Sequence, residues 1–134
     1  MTTHRTAVVH VAIHAPPGTV VTFLRDLENW QTWAPWVRSV ARTAPNDWAL
    51  ESDAGTMRFR FVEPNPLGVL DHRVTLASGV IVTNSMRVIA NGTGSELVMV
   101  LFQWPHMSAL EFDRDVRAVT DDLARLKAAA EGQP

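Results

Sequence analysis

Residues 108–131 read SALEFDRDVRAVTDDLARLKAAAE, and this stretch decides the fold. Phe112, Val116, Val119, Leu123, Leu126 and Ala130 recur at steps of four, three, four, three and four, which stacks them on one stripe of an α-helix. Asp113, Arg117, Asp121, Asp122, Arg125 and Lys127 fall on the other face, expected in water, with Asp113/Arg117 and Asp121/Arg125 in the favourable acid-first i, i+4 order. Ser108 with Glu111 three residues on has the form of a capping box, and Pro105 stops the segment before it, so the helix is expected to begin near residue 108. At 1.5 Å per residue it would be about 35 Å long. So much apolar stripe needs a sheet to lie on.

The chain ahead of the helix supplies that sheet. Thr6 to His14 alternates, with Val9, Val11 and Ile13 on one face and His10, Ala12 and His14 on the other, as a strand does. Ala15-Pro16-Pro17-Gly18 ends it, and Val20, Phe23, Leu24 and Leu27 then have the spacing of a short helix. Asp26 to Trp36 places Trp30, Trp33 and Trp36 in a second short helix or turn ended by Pro35. From Val37 the period is two. Val37–Thr43 and Trp48–Ser52 pair across Ala44-Pro45-Asn46-Asp47, and Gly55–Glu63 sets Met57, Phe59 and Phe61 against Arg58 and Arg60. Val69–Leu76 is expected as one strand with Leu70, His72, Val74 and Leu76 inward and Asp71, Arg73 and Thr75 outward. Val80–Ala90 turns Val80, Val82, Asn84, Met86 and Val88 inward, and Glu96–Trp104 turns in Leu97, Met99, Leu101 and Gln103. Arg87 falls outward unless a bulge reverses it. The expected architecture is α+β, a helix-grip in which a strongly curved antiparallel sheet wraps the long C-terminal helix, with two short helices after strand one and residues 1–134 as one domain.

Composition narrows the function. A formal charge of −2 with acids and bases interleaved lacks the basic stripe of a nucleic-acid surface. No apolar run approaches the roughly 20 residues of a membrane span, and Met1 to Thr6 is polar, so a cytoplasmic protein without a membrane partner is expected. The absence of cysteine removes disulfides, thiolate metal sites and thiol nucleophiles together. His10 and His14, on a strand, would stand about 13 Å apart and could not share an ion, while His4 and His106 fall in a tail and a loop, so neither metal nor cofactor is expected. There is no G-x-S-x-G nucleophile motif, and Gly92-Thr93-Gly94 is a turn rather than a phosphate loop.

Several stretches carry a family likeness: Ile13-His14-Ala15-Pro16, Leu70-Asp71-His72, Met86-Arg87-Val88, Gly94-Ser95-Glu96, and Asp122-Leu123-Ala124-Arg125-Leu126-Lys127. The segment Asp26-Leu27-Glu28-Asn29-Trp30-Gln31-Thr32-Trp33-Ala34-Pro35-Trp36 is similar to the D-x-E-x-W-x-x-W-x-P-x pattern of the same group. With the order of elements, these resemble the START-like (SRPBCC) superfamily over most of the chain, in particular a bacterial polyketide-cyclase-like branch. The resemblance implies a ligand cavity between the concave sheet face and the long helix, suited to a small hydrophobic or aromatic molecule.

Trp30, Trp33, Met57, Phe59, Phe61, Met86, Met99 and Phe112 then become candidate lining, and His72, Asn84 and Gln103 candidate polar anchors. Taken one at a time, the apolar positions read first as core, and it is the resemblance that raises the cavity reading. His72 reads equally as a histidine satisfied by a neighbour, and Asn84 and Gln103 as paired with each other or with backbone. Two functions follow: a small-molecule binder or, alternatively, a polyketide aromatase/cyclase-type enzyme in which His72 transfers protons. The chain has no tyrosine, so no mechanism through a tyrosine hydroxyl can operate, which weighs against the second. An interaction module using the outer sheet face is disfavoured because the outer positions are mostly polar or charged.

Overall fold

The alternating segments pair into one antiparallel sheet in a computed structural model that describes residues 1–132. Strand β1 (Thr6–Ile13) is followed by helix α1 (Pro17–Arg25) and a 3₁₀ helix (Leu27–Thr32). Six strands come next: β2 (Val37–Ala44), β3 (Asp47–Ser52), β4 (Gly55–Phe61), β5 (His72–Thr75), β6 (Ile81–Asn91) and β7 (Gly94–Phe102). Helix α2 (Ala109–Ala130) closes the chain. The strand order β1-β7-β6-β5-β4-β3-β2 makes β2 to β7 a run of sequential neighbours and sends β1 to the far edge, beside β7. The two short helices carry the chain between those edges.

Helix α2 forms as its sequence dictates. The Ser108 hydroxyl accepts the Glu111 amide at 3.1 Å while Glu111 accepts the Ser108 amide at 3.0 Å, completing the capping box. Phe112, Leu123 and Leu126 are buried, and Val116, Val119 and Ala130 half-buried. Each fully buried side chain of this kind contributes about 1.5–3 kcal/mol. The helix lies along β1 and reaches the 3₁₀ helix. It is tied near its ends by Arg5 to Asp113 at 2.8 Å and by the His14 amide to the Glu131 carboxylate at 2.7 Å.

Its polar face departs from expectation. Asp113 pairs with Arg5 and not Arg117, and Arg125 pairs with Asp122 rather than Asp121. Asp122 is not in water at all: it is 9% exposed and accepts the Trp36 indole N–H at 3.0 Å. The 3₁₀ helix and the turn after it cover that row of α2.

Strand β5 is shorter than the alternation implied. The register runs on unbroken, with Val69 opposite Arg87 and His72 opposite Asn84. Leu70 still donates its amide to the Met86 carbonyl at 2.9 Å. The return bond is intercepted from both ends: the Met86 amide donates to the Asp71 carboxylate at 2.9 Å, and the Leu70 carbonyl accepts from His72 Nδ1 at 2.9 Å. Two side chains thus replace one ladder bond, and regular pairing starts only at His72. Gln103 is likewise displaced, lying past the end of β7 and donating Nε2 to the Met107 carbonyl at 3.2 Å. Arg87 is exposed on the outer face, since β6 has no bulge there.

Candidate ligand-binding cleft

Between α2, the 3₁₀ helix and the concave face of β4 to β7 lies a cleft of about 550 Å³. Its floor is buried and mostly apolar: Trp30, Trp33, Phe59, Met86, Met99, Leu101, Leu123 and Leu126, with His72 among them. Its mouth is built from exposed residues, Pro35 on one side and Asp115, Ala118, Asp121 and Arg125 of α2 on the other. The expected enclosed cavity is therefore a cleft with an open side.

The aromatic floor is ordered by its own contacts. The Trp30 indole donates to the Leu24 carbonyl at 2.9 Å, fixing the 3₁₀ helix on α1. Around that ring stand Trp33, Phe59 and Trp36, at centroid distances of 5.0, 5.4 and 6.4 Å, the range of tilted and edge-to-face pairs. His72 stacks on Phe59 at 5.5 Å and tilts against Phe61 at 5.3 Å.

His72 is 2% exposed, and its tautomer follows from its partners. Nδ1 faces a carbonyl and must carry the proton; Nε2 is then the acceptor, 3.3 Å from the Asn84 amide nitrogen directly across the strand pair. Burial pushes its pKa down, partly offset by the Leu70 carbonyl and the charge of Asp71, so the ring is neutral. Both nitrogens are engaged.

Two further features come from outside the floor. The indole N–H of Trp33, a residue 5% exposed, is the one buried side-chain donor without an acceptor among the described residues. On α2, Asp122 accepts from both Trp36 and Arg125, and Arg125 also donates to the Trp33 carbonyl at 3.0 Å. This cluster fastens the tryptophan turn to the helix. Asp115, two helical turns before Asp122, stands exposed at the mouth; partial desolvation and then the charge of Asp122 push its pKa up.

Of the candidate residues, the cleft brings together Trp30, Trp33, Phe59, His72, Asn84, Met86 and Met99. Four stand apart from it. Phe61 packs behind His72, Phe112 is buried beneath the Arg5 guanidinium, Met57 sits near the β3–β4 turn opposite Leu50, and Gln103 is past the sheet. Sequence reasoning allowed Trp36, with Trp30 and Trp33, as a lid over the cavity, but missed Asp115, Asp122 and Arg125 entirely as members of the candidate site. The signal available was helical: Asp115, Ala118, Val119, Asp122 and Leu126 share one side of α2 at steps of three and four.

Residues 4–131 match the family described as polyketide cyclase / dehydrase and lipid transport. The chain belongs to that family. Its fold, the START-like (SRPBCC) helix-grip, recurs among solved structures. A conserved protein from Geobacillus kaustophilus superposes with a TM-score of 0.76 at 7% identity, 96% of each chain being covered. DynU16, a putative protein in the dynemicin biosynthetic locus, gives 0.74 at 16% identity over 96% of this chain and 48% of that one, so this chain spans about half of it. Ara h 8.0201 gives 0.64 at 14% identity, over 96% of this chain and 95% of that one. At such identities the likeness concerns the fold alone. No curated protein matches the chain. Among the described residues, no helix is long and apolar enough to cross a membrane, and no three His, Cys, Asp or Glu side chains come together as a metal site.

Proposed function

We propose that this member of the polyketide cyclase / dehydrase and lipid transport family binds a small, largely apolar aromatic molecule in the cleft, with residues 1–134 acting as one binding domain. The observation that carries this is the floor itself: tryptophan, phenylalanine and methionine side chains lining about 550 Å³, a volume within the roughly 300–1,000 Å³ of ligand pockets. Rings and thioethers adapt to flat apolar partners. An unpaired buried donor costs about 1–3 kcal/mol, and a ligand oxygen accepting from the Trp33 indole would recover part of it. Asn84, whose amide nitrogen is held by His72, offers its carbonyl oxygen as a second polar contact.

The cyclase/aromatase alternative would use the same cleft. His72 suits it poorly as a proton carrier, because its neutral ring already commits both nitrogens and Nε2 would have to be released by Asn84 first. Binding is the better-supported activity.

The test is a fluorescence titration with the neutral dye N-phenyl-1-naphthylamine, using wild type and Ala118→Trp. Ala118 is an exposed helix position on the mouth, so an indole there blocks the cleft without entering the core. Wild type should bind saturably, and Ala118→Trp should lose binding while keeping its melting temperature. Equal binding by both proteins, or none by wild type, would overturn the proposal.

A further inference from the structure

The cleft is apolar at its floor but not neutral at its mouth. Four charged side chains line it, Asp115, Asp121, Asp122 and Arg125. Arg125 is already occupied by the Asp122 carboxylate and the Trp33 carbonyl, so its charge is answered. Asp115 and Asp121 have no hydrogen-bond or ion-pair partner among the described residues. Asp115 is held in a concave, partly desolvated position facing another carboxylate, which raises its pKa, the response of an acid that lacks a cation nearby. The remaining titratable lining residue, His72, is neutral and contributes no positive charge.

This acidic rim stands over electron-rich rings. Trp30, Trp33 and Trp36 present indole surfaces within one cluster, and indole faces attract organic cations more strongly than other aromatic rings do. A carboxylate beside an aromatic box is the chemistry that recognises an alkylammonium group. The same arrangement repels fatty-acid carboxylates and phosphorylated lipids, which would meet two free aspartates and an arginine already engaged. The unpartnered indole N–H of Trp33, 95% buried on this wall, is a separate sign that a ligand group belongs here.

We infer, resting on the binding function proposed above, that the natural ligand is an aromatic amine, cationic at neutral pH, whose rings lie on the tryptophan and phenylalanine floor and whose ammonium group pairs with Asp115. Asp121 adds to the attraction from the rim, and the Trp33 N–H selects for an oxygen substituent on the ring system.

Three probes sharing one ring system separate this inference from the one beneath it: 2-naphthylmethylamine, the neutral 2-naphthylmethanol and the anionic 2-naphthoate, titrated at pH 7 by calorimetry. The amine should bind about fivefold or more tighter than the alcohol, the upper end of what a solvent-touched ion pair gives, and the carboxylate weaker than the alcohol. Asp115→Asn should erase the amine's advantage over the alcohol, while Asp115→Glu retains the preference. Because Asp115 is at the surface and unpaired, both variants are expected to fold, as a thermal melt will verify. If alcohol and amine bind equally, if the carboxylate binds best, or if Asp115→Asn leaves the amine's advantage intact, the assignment is wrong although the cleft still binds. If neither the amine nor the alcohol binds, the binding function itself falls and takes this inference with it.

Discussion

His72→Gln should flatten the acid sensitivity of the fold. The folded ring is 2% exposed, donates Nδ1–H to the Leu70 carbonyl at 2.9 Å, and its pKa is lowered mainly by burial. An unfolded chain takes up this proton near pH 6.5, so below that pH the unfolded state binds more protons than the folded one and stability falls as the pH falls. For a ring that stays neutral in the fold, the slope approaches about 1.4 kcal/mol per pH unit, or up to about 2 kcal/mol between pH 7 and pH 5. Glutamine can still donate to the Leu70 carbonyl and accept from Asn84, but it does not titrate. Urea unfolding of both proteins at both pH values gives a double difference in which the other groups cancel, Asp115 included. Wild type should lose up to about 2 kcal/mol more than the variant on acidification. Equal losses would refute the reasoning: the ring would then carry its proton in the fold, with the Asn84 amide turned to present its oxygen.

Leu123→Ala removes a side chain 3% exposed from the α2 stripe and should cost about 2–5 kcal/mol in urea unfolding; a loss within the roughly 0.5 kcal/mol of surface changes would mean the helix is not packed on the sheet. Gly68→Ala should destabilise by about 1–3 kcal/mol or more, because Gly68 has φ +72° and an added Cβ would stand 2.1 Å from the Val88 carbonyl oxygen; an unchanged unfolding midpoint would show that the Val69–Arg87 bridge region yields easily. For the cleft itself, loss of dye binding in Ala118→Trp and loss of amine preference in Asp115→Asn are the corresponding outcomes.

The helix-grip was legible because its two periods are clean. Phe112, Leu123 and Leu126 keep a helical step without interruption, and Met57, Phe59 and Phe61 keep a strand step. The lining of the candidate cleft was legible at Trp30 and Trp33 from the tryptophan segment, and on the sheet where period and chemistry coincide, at Phe59, His72, Asn84, Met86 and Met99. Gln103 continues the alternation of β7 in sequence, but the strand ends at Phe102, and alternation carries no marker for that stop. Asp122 reads as a solvated acid because hydropathy weighs a residue alone. Its burial depends on Trp36, 86 positions earlier in the chain, which brings an N–H to it. Asp115 was passed over for the same reason: its helical spacing with Val119, Asp122 and Leu126 was readable, but by hydropathy an acid next to water and an acid over a cleft look alike. Phe61 and Phe112 share faces with lining residues yet lie beyond the ends of the cleft, and a face is longer than the pocket it carries.

The pairing of β1 with β7 also sets the order in which this protein can be assembled. Strands β2 to β6 each meet a sequence neighbour and can zip together as the chain emerges, whereas Ile13 must wait for Ser95, and Thr6 for Phe102. Helix α2, which rests on β1, comes later still. Until it arrives, Met86, Met99 and Leu101 form the uncovered apolar face of a nearly finished sheet, the kind of surface on which nascent chains aggregate. The cleft is therefore the last part of the molecule to come into being, and any molecule bound in it would act on the final step of folding rather than on an earlier one.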